Sequence, residues 1–222
     1  MHQKDYTGHY DSLYRFQDEL LKIVFSFDNM FYLTGGTALS RFHNYNHRYS
    51  DDLDLFTNNN NLFRSDLREI LLNLSHLEFE KTVESKDFVR LLFKQNSLVL
   101  QVDFVHEYIE KIDKFYLINN YKIDTLNEII SNKFGAILNR DEPKDIADIL
   151  EAYSQGYKAW RKAFEMANVK QNFAIEDLIV RLETFPIKLL EKIKYIHSKT
   201  KKFHILNCQN ILQFIIKEIV FE

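Results

Sequence analysis

The chain has one cysteine, two prolines and five glycines in 222 residues, with no excess of basic charge and no long apolar run. A single thiol, Cys208, cannot close an intramolecular disulfide, which fits a reducing compartment. With prolines and glycines so scarce, long stretches run without breakers, so long helices and few turns are expected. The net charge of −3 excludes a globally basic nucleic-acid binder and leaves only a local patch for that role. The opening MHQKDYTGHYD is polar and lacks the basic start and apolar stretch of a signal peptide. The most apolar segment, ILQFIIKEIVF, is too short to span a bilayer and is interrupted by Gln213, Lys217 and Glu218. A cytoplasmic location without a membrane partner is therefore expected. Hydrophobic residues are 45% and charged residues 27%, the balance of a globular protein with a real core.

Periodicity divides the chain. Leu13, Phe16, Leu20, Val24 and Phe27 share one helical face, so a helix is expected over 11–27. Residues 30–34 read as a short strand running into Gly35 and Gly36, with a helix over 37–45. Alternation predicts a strand over 52–56. A helix over 62–74 follows, then strands over 77–83, 88–93 and 98–106 and a further strand over 116–123. Gln95, Asn96 and Ser97 suit a hairpin turn, and the Asn58–Asn61 run suits a loop. Thr125 and Glu128 have capping-box spacing, Pro143 suits a first helical turn, and everything beyond has helical periodicity, 187–197 included. The fold class expected is α+β: a mixed β-sheet with flanking helices, then a C-terminal helical bundle. The domains are drawn at 1–122 and 123–222, with the active site between them.

Two short motifs carry chemistry. On a strand, Asp52 and Asp54 point to one face and Leu53 and Leu55 to the other, so the leucines anchor while the carboxylates project together. Adjacent carboxylates repel, and a divalent cation relieves this. Gly35 and Gly36 let backbone approach a ligand closely, and a helix starting at Thr37 turns free N–H groups and a hydroxyl toward a phosphate. A third carboxylate, Asp103, lies between apolar neighbours in a β-run, where burial is costly unless the group is paired or bound to metal. Each feature has a plain structural counterpart: a helix cap, a solvated strand face, an edge-strand aspartate facing water.

Residues Leu33 to Leu39 (LTGGTAL), followed by His47, Arg48, Ser50 and the DLDLF of 52–56, resemble the AbiEii/AbiGii-type toxin nucleotidyltransferases of the DNA polymerase β-like superfamily. Lys133, Ala136 and Arg140 resemble that family's Lys-x-x-Ala-x-x-x-Arg helix. Lys144, Asp145, Asp148 and Ile149 resemble its basic-Asp-x-x-Asp-apolar motif, where Arg is commoner first. The resemblance spans roughly residues 30–150. It implies a fold of the nucleotidyltransferase type and transfer of a nucleoside monophosphate from an NTP to a hydroxyl of an RNA, tRNA included, or of a protein. It implies a toxin with a cognate antitoxin, or a phage-defence role. It implies Mg²⁺ or Mn²⁺ at Asp52, Asp54 and Asp103, and nucleotide contacts from Gly35, Gly36, Thr37, Arg48, Ser50, Lys133 and Arg140. Asp52, Asp54, Asp103, Lys133, Asp145 and Asp148 form the catalytic set.

Lys133, Ala136 and Arg140 share one helix face, and Asp145 and Asp148 lie one turn apart, so the aspartates can orient those cations. A plain salt-bridge network is the counterpart reading. Lys188, Lys192, Lys194, Lys199, Lys201 and Lys202, opposed only by Glu191, form a basic strip suited to an RNA backbone or simply to solvent. Trp160 with Tyr157 and Phe164 reads as helix packing, and Cys208 as a core residue. The alternative to an enzyme is a non-catalytic nucleotide- or protein-binding module of the same fold. Phosphodiester hydrolysis is a third reading.

Overall fold

The structure is a computed structural model and describes residues 6–221. The polar opening Met1–Asp5 and the terminal Glu222 lie outside the described residues. The chain divides into two compact units. One runs to Ala38 and resumes over Ser50–Asp124; the other joins Leu39–Tyr49 to the chain from Thr125 onward.

The first unit holds helix α1 (Thr7–Val24), strand β1 (Tyr32–Thr34), the short helix α2 (Gly35–Thr37), β2 (Asp52–Thr57), α3 (Asn60–Asn73), β3 (Glu78–Glu84), β4 (Phe88–Gln95), β5 (Leu98–His106), β6 (Tyr116–Ile118) and β7 (Tyr121–Ile123). Its seven strands form one sheet in the order β3-β4-β5-β2-β1-β7-β6. The sheet is mixed: β2 runs parallel to β5 and β1 to β7, while the other neighbours are antiparallel. Leu53, Leu55, Val102 and Phe104 are buried on one sheet face. Beside them are Leu13, Phe16 and Leu20 of α1 and Phe63, Leu67 and Ile70 of α3. Phe31 joins the layers by ring contacts to Phe63 and Phe104. Truncating one such leucine to alanine costs about 2–5 kcal/mol. Asp52 and Asp54 lie on the opposite, partly exposed face of β2.

Asparagine does here what glycine does elsewhere. Asn96 adopts φ +56° in the β4–β5 turn. Asn119 and Asn120 adopt φ +51° and +68°, which folds the single strand expected over 116–123 into the β6–β7 hairpin. Asn59 caps α3, its side chain accepting from the Asn61 and Leu62 N–H groups, so the helix begins inside the asparagine run.

The second unit holds α4 (Leu126–Asn139), α5 (Pro143–Ser154), α6 (Trp160–Gln171), α7 (Ile175–Glu183) and α8 (Ser198–Phe221). Phe134, Ile149, Leu150, Trp160, Leu182, Cys208 and Leu212 are buried in its core. Thr125 caps α4 by accepting from the Glu128 N–H at 3.3 Å, and the Glu128 carboxylate pairs with Lys170 at 2.7 Å. Gly135 leaves room for the Gln171 side chain, which a Cβ would meet. The helix expected over 187–197 is a correction. Only a 3-10 turn, Ile187–Lys192, forms. Beyond it the backbone pairs with residues 47–49: Tyr49 N–H donates to Lys194 O and Ile196 N–H to His47 O. Local helical periodicity yields to these long-range hydrogen bonds. Among the described residues no helix is long and apolar enough to cross a membrane.

Candidate active site

The first-unit site is assembled on β2. The Gly-Gly turn bends at Gly35, whose φ of +71° is a left-handed value that favours glycine. A Cβ there would collide with the Asp54 carboxylate, so glycine backbone lies directly against that group. Thr37 Oγ1 donates to the Asp52 carbonyl at 2.6 Å. The hydroxyl expected to face a phosphate thus ties the turn to the Asp-x-Asp strand. Helical backbone starts at Gly35, two residues earlier than expected, and continues as a π turn over Ala38–Phe42.

Helix α1 holds the entrance to β2. The Tyr14 hydroxyl is 3.1 Å from the Ser50 N–H and accepts from it; Gln17 Nε2 donates to Ser50 O at 3.2 Å. Tyr10 donates to Asp51, and burial followed by that carboxylate pushes the phenol's pKa upward. Ser50 Oγ lies 3.5 Å from Asp52 Oδ1, so this buried serine positions a carboxylate.

Asp103 stands beside Asp54 in the parallel β2–β5 pairing and opposite Arg90 in the antiparallel β4–β5 pairing. Its carboxylate is gripped at both oxygens: Arg90 Nε donates to Oδ1 at 2.8 Å and Nη2 to Oδ2 at 2.7 Å. Gln101 Nε2 adds a bond to Oδ2 at 3.2 Å. Sequence reasoning did not single out Arg90. Asp52 and Asp54 fit a hard divalent ion: both donors are oxygen, on one partly exposed strand face. Asp103 fits less well, because its oxygens already accept from a guanidinium. Among the described residues no group of three or more His, Cys, Asp or Glu side chains is arranged to hold a metal ion.

The second unit gathers the buried Arg48, Lys133, Asp145 and Asp148, with the exposed Arg140 at the edge, in one ion-pair network. Lys133 Nζ lies 2.9 Å from Asp145 Oδ1 and 2.6 Å from Asp148 Oδ2. Arg140 grips Asp145 through Nε at 2.8 Å and Nη2 at 3.0 Å. Arg48 grips Asp148 through Nε at 2.6 Å and Nη2 at 2.8 Å, and its Nη1 donates to Tyr49 O. Arg48, expected at a phosphate, is instead a buried clamp whose fork is committed to Asp148. His47 Nε2 also meets Asp148, at 2.8 Å, while its buried Nδ1 has no hydrogen-bond partner. Burial alone would raise the Asp148 pKa, but the charges of Arg48 and Lys133 hold it well below the ordinary carboxylate range. Burial would lower the Lys133 pKa, and Asp145 and Asp148 raise it above its ordinary value. Lys133 is therefore a charged ammonium oriented by two aspartates.

Of the basic strip, Lys188, Lys192, Lys194, Lys199 and Lys202 are exposed and Lys201 is partly buried. Cys208 is fully buried, which raises its thiol pKa to about 11 and removes it as a nucleophile. Trp160 packs edge-on against Tyr157 at 4.8 Å and lies within the core.

No curated protein matches the chain. Solved structures do. JHP933 from Helicobacter pylori superposes with a TM-score of 0.64 at 18% identity, covering 95% of this chain and 93% of that one. A structure from H. pylori described as a putative nucleotidyltransferase gives 0.62 at 18% identity over 97% of both chains. MenT4, a nucleotidyltransferase toxin of Mycobacterium tuberculosis H37Rv, gives 0.55 at 12% identity over 92% of this chain and 84% of that one. These likenesses establish the fold. The model of the family described as nucleotidyl transferase AbiEii toxin, type IV toxin–antitoxin system, matches residues 20–203, which include all the motifs above. The chain belongs to the AbiEii nucleotidyl transferase toxin family.

Proposed function

We propose that this chain transfers a nucleoside monophosphate from an NTP to a hydroxyl of an RNA, tRNA included, or of a protein, acting as the toxin beside a cognate antitoxin. The observation that carries this reading is the direct apposition of Gly35 backbone and the Asp54 carboxylate, with Asp52 on the same strand face. A phosphate chain and the cation that accompanies it need such a pairing of open backbone with oxygen ligands.

In this reading Asp52 and Asp54 hold a divalent ion, Mg²⁺ or Mn²⁺, which when bound supplies charge neutralisation at the phosphoryl oxygens. Gly35 and Gly36 admit the triphosphate close to the main chain. Thr37 and Ser50 fix the turn and Asp52 in place. In the second unit, Lys133 has three donors, of which Asp145 and Asp148 take two. Asp145 and Asp148 are its positioning residues, and Arg140 braces Asp145. Catalysis then rests on placement and fixed charge.

The test incubates purified protein with labelled NTPs, Mg²⁺ and total RNA. Label should enter RNA or protein with the wild-type chain and fall at least about a hundredfold in Asp52→Ala, the scale on which loss of preorganised charge acts. Thermal stabilisation by NTP and Mg²⁺ with no label transferred would mark a binding module. NTP or RNA breakdown without transfer would mark a hydrolase.

A further inference from the structure

Three aspartates occupy neighbouring register positions where β2 and β5 pair, yet they are not equivalent. Asp52 and Asp54 lie in register with Gln101 and Asp103 on the neighbouring parallel strand. Asp103 is nearly buried, with a side chain 9% exposed, whereas Arg90 is 36% exposed. The guanidinium meets the carboxylate in the planar two-bond fork that arginine forms best, and a lysine would not reproduce it. Gln101 takes a further bond to Oδ2. Ligation of a metal by Asp103 would have to disrupt this arrangement in a partly desolvated setting. The Arg90 pKa is raised chiefly by Asp103, and Asp54 and Asp52 also contribute, so one guanidinium lies within electrostatic reach of all three carboxylates.

Two divalent ions would need Asp103 as a bridging or terminal ligand, and its oxygens are held elsewhere.

We propose that Arg90 is a positioning residue that withholds Asp103 from metal, so that the site takes one divalent cation through Asp52 and Asp54 while the Arg90 guanidinium stands as a fixed second cation. This rests on the reading of Asp52 and Asp54 as metal ligands. It changes the role of Asp103 from ligand to anchor, and it adds a residue that belongs to none of the four family-like motifs.

Mn²⁺ binding to the full chain, followed by electron paramagnetic resonance titration without nucleotide, tests it. Wild-type protein should bind one Mn²⁺ per chain. Asp103→Asn should still bind one, with affinity within about threefold, and Asp54→Asn should bind none; circular dichroism melts confirm that each variant is folded. Arg90→Gln should gain a second Mn²⁺ by releasing Asp103, and the Arg90→Gln/Asp103→Asn double variant should return to one. Loss of Mn²⁺ in Asp103→Asn to the extent seen in Asp54→Asn overturns the proposal, as does a stoichiometry of two in the wild type. If Arg90→Gln does not fold, the Asp103→Asn comparison alone decides. A wild-type chain that binds no Mn²⁺ overturns the metal-ligand reading itself, and the role of Arg90 with it.

Discussion

Asp148 receives Arg48 through both carboxylate oxygens, at 2.6 Å and 2.8 Å, one hundred residues apart in sequence and wholly inside the second unit. Lys133 and His47 reach the same carboxylate. Two cations thus converge on a fully buried anion, and each is needed to offset its desolvation. Removing one partner leaves an uncompensated buried charge, which costs about 3–5 kcal/mol. Arg48→Met should therefore lower the denaturant midpoint severely. The exposed surface pair Lys81–Glu84 is the control: Lys81→Met should cost below about 1 kcal/mol. Equal midpoint shifts in the two variants would contradict the buried-clamp assignment.

His47 gives the same network a pH dependence. Burial lowers its pKa from the ordinary 6.5, and the hydrogen bond to Asp148 does not make up the difference. The folded chain therefore binds this proton less readily than the unfolded chain. Stability from this group is complete above about pH 6.5 and falls as the pH drops below it, by up to ~1.4 kcal/mol per pH unit, until the folded imidazole is itself protonated. Asp145 and Asp148, with lowered pKa values, add a separate loss only at pH below about 3.8. Melting temperatures measured from pH 8 to pH 5 should decline in the wild type and decline less in His47→Gln, which keeps a donor for Asp148. Parallel curves would exclude His47 as the source.

Much of this site can be read from the sequence because its motifs are local. Asp52 and Asp54 share a strand face by simple alternation, and Thr125 and Pro143 announce their helices by position. What escaped the sequence depends on pairing. Residues 193–196 read as helix until their backbone is seen to bond with 47–49. The segment Leu39–Tyr49 joins the second unit by contacts that no local pattern encodes. Arg90 is the instructive case. The turn at Asn96 and Ser97 was legible, and it pairs Gln95 with Leu98. Counting back five residues along β4 and forward along β5 puts Arg90 opposite Asp103, a relation that could have been drawn from the hairpin alone.

Gly35 should tolerate no side chain. Its φ of +71° strains any L-residue, and a Cβ would strike the Asp54 carboxylate as well. Gly156 separates the two effects: it has φ +82°, but a Cβ there would meet nothing within 4 Å. Gly156→Ala should cost about 1 kcal/mol of stability through backbone strain alone and leave nucleotidyl transfer intact. Gly35→Ala should cost about 1–3 kcal/mol and also abolish transfer, because Asp54 must move. Assays of transfer beside thermal melts distinguish these outcomes, and transfer retained in folded Gly35→Ala would remove the apposition from the mechanism.

The exposed lysines test the RNA branch of the proposed acceptor. A chain of net charge −3 repels RNA in bulk, so attraction must come from a local patch, and Lys188, Lys192, Lys199 and Lys202 are the exposed cations to test. Each lysine that meets a phosphate of a single strand contributes about 0.7 to the slope of log affinity against log salt. Replacing these four with glutamine should flatten that slope by up to about 3 and weaken RNA binding uniformly across sequences. Glutamines at Lys22, Lys86 and Lys114, which lie in the first unit, should leave the slope unchanged. Fluorescence anisotropy with a labelled RNA over a salt series makes the measurement. A slope that is already flat in the wild type would turn the search from an RNA acceptor to a protein hydroxyl, because a protein acceptor carries no regular phosphate chain for the strip to track.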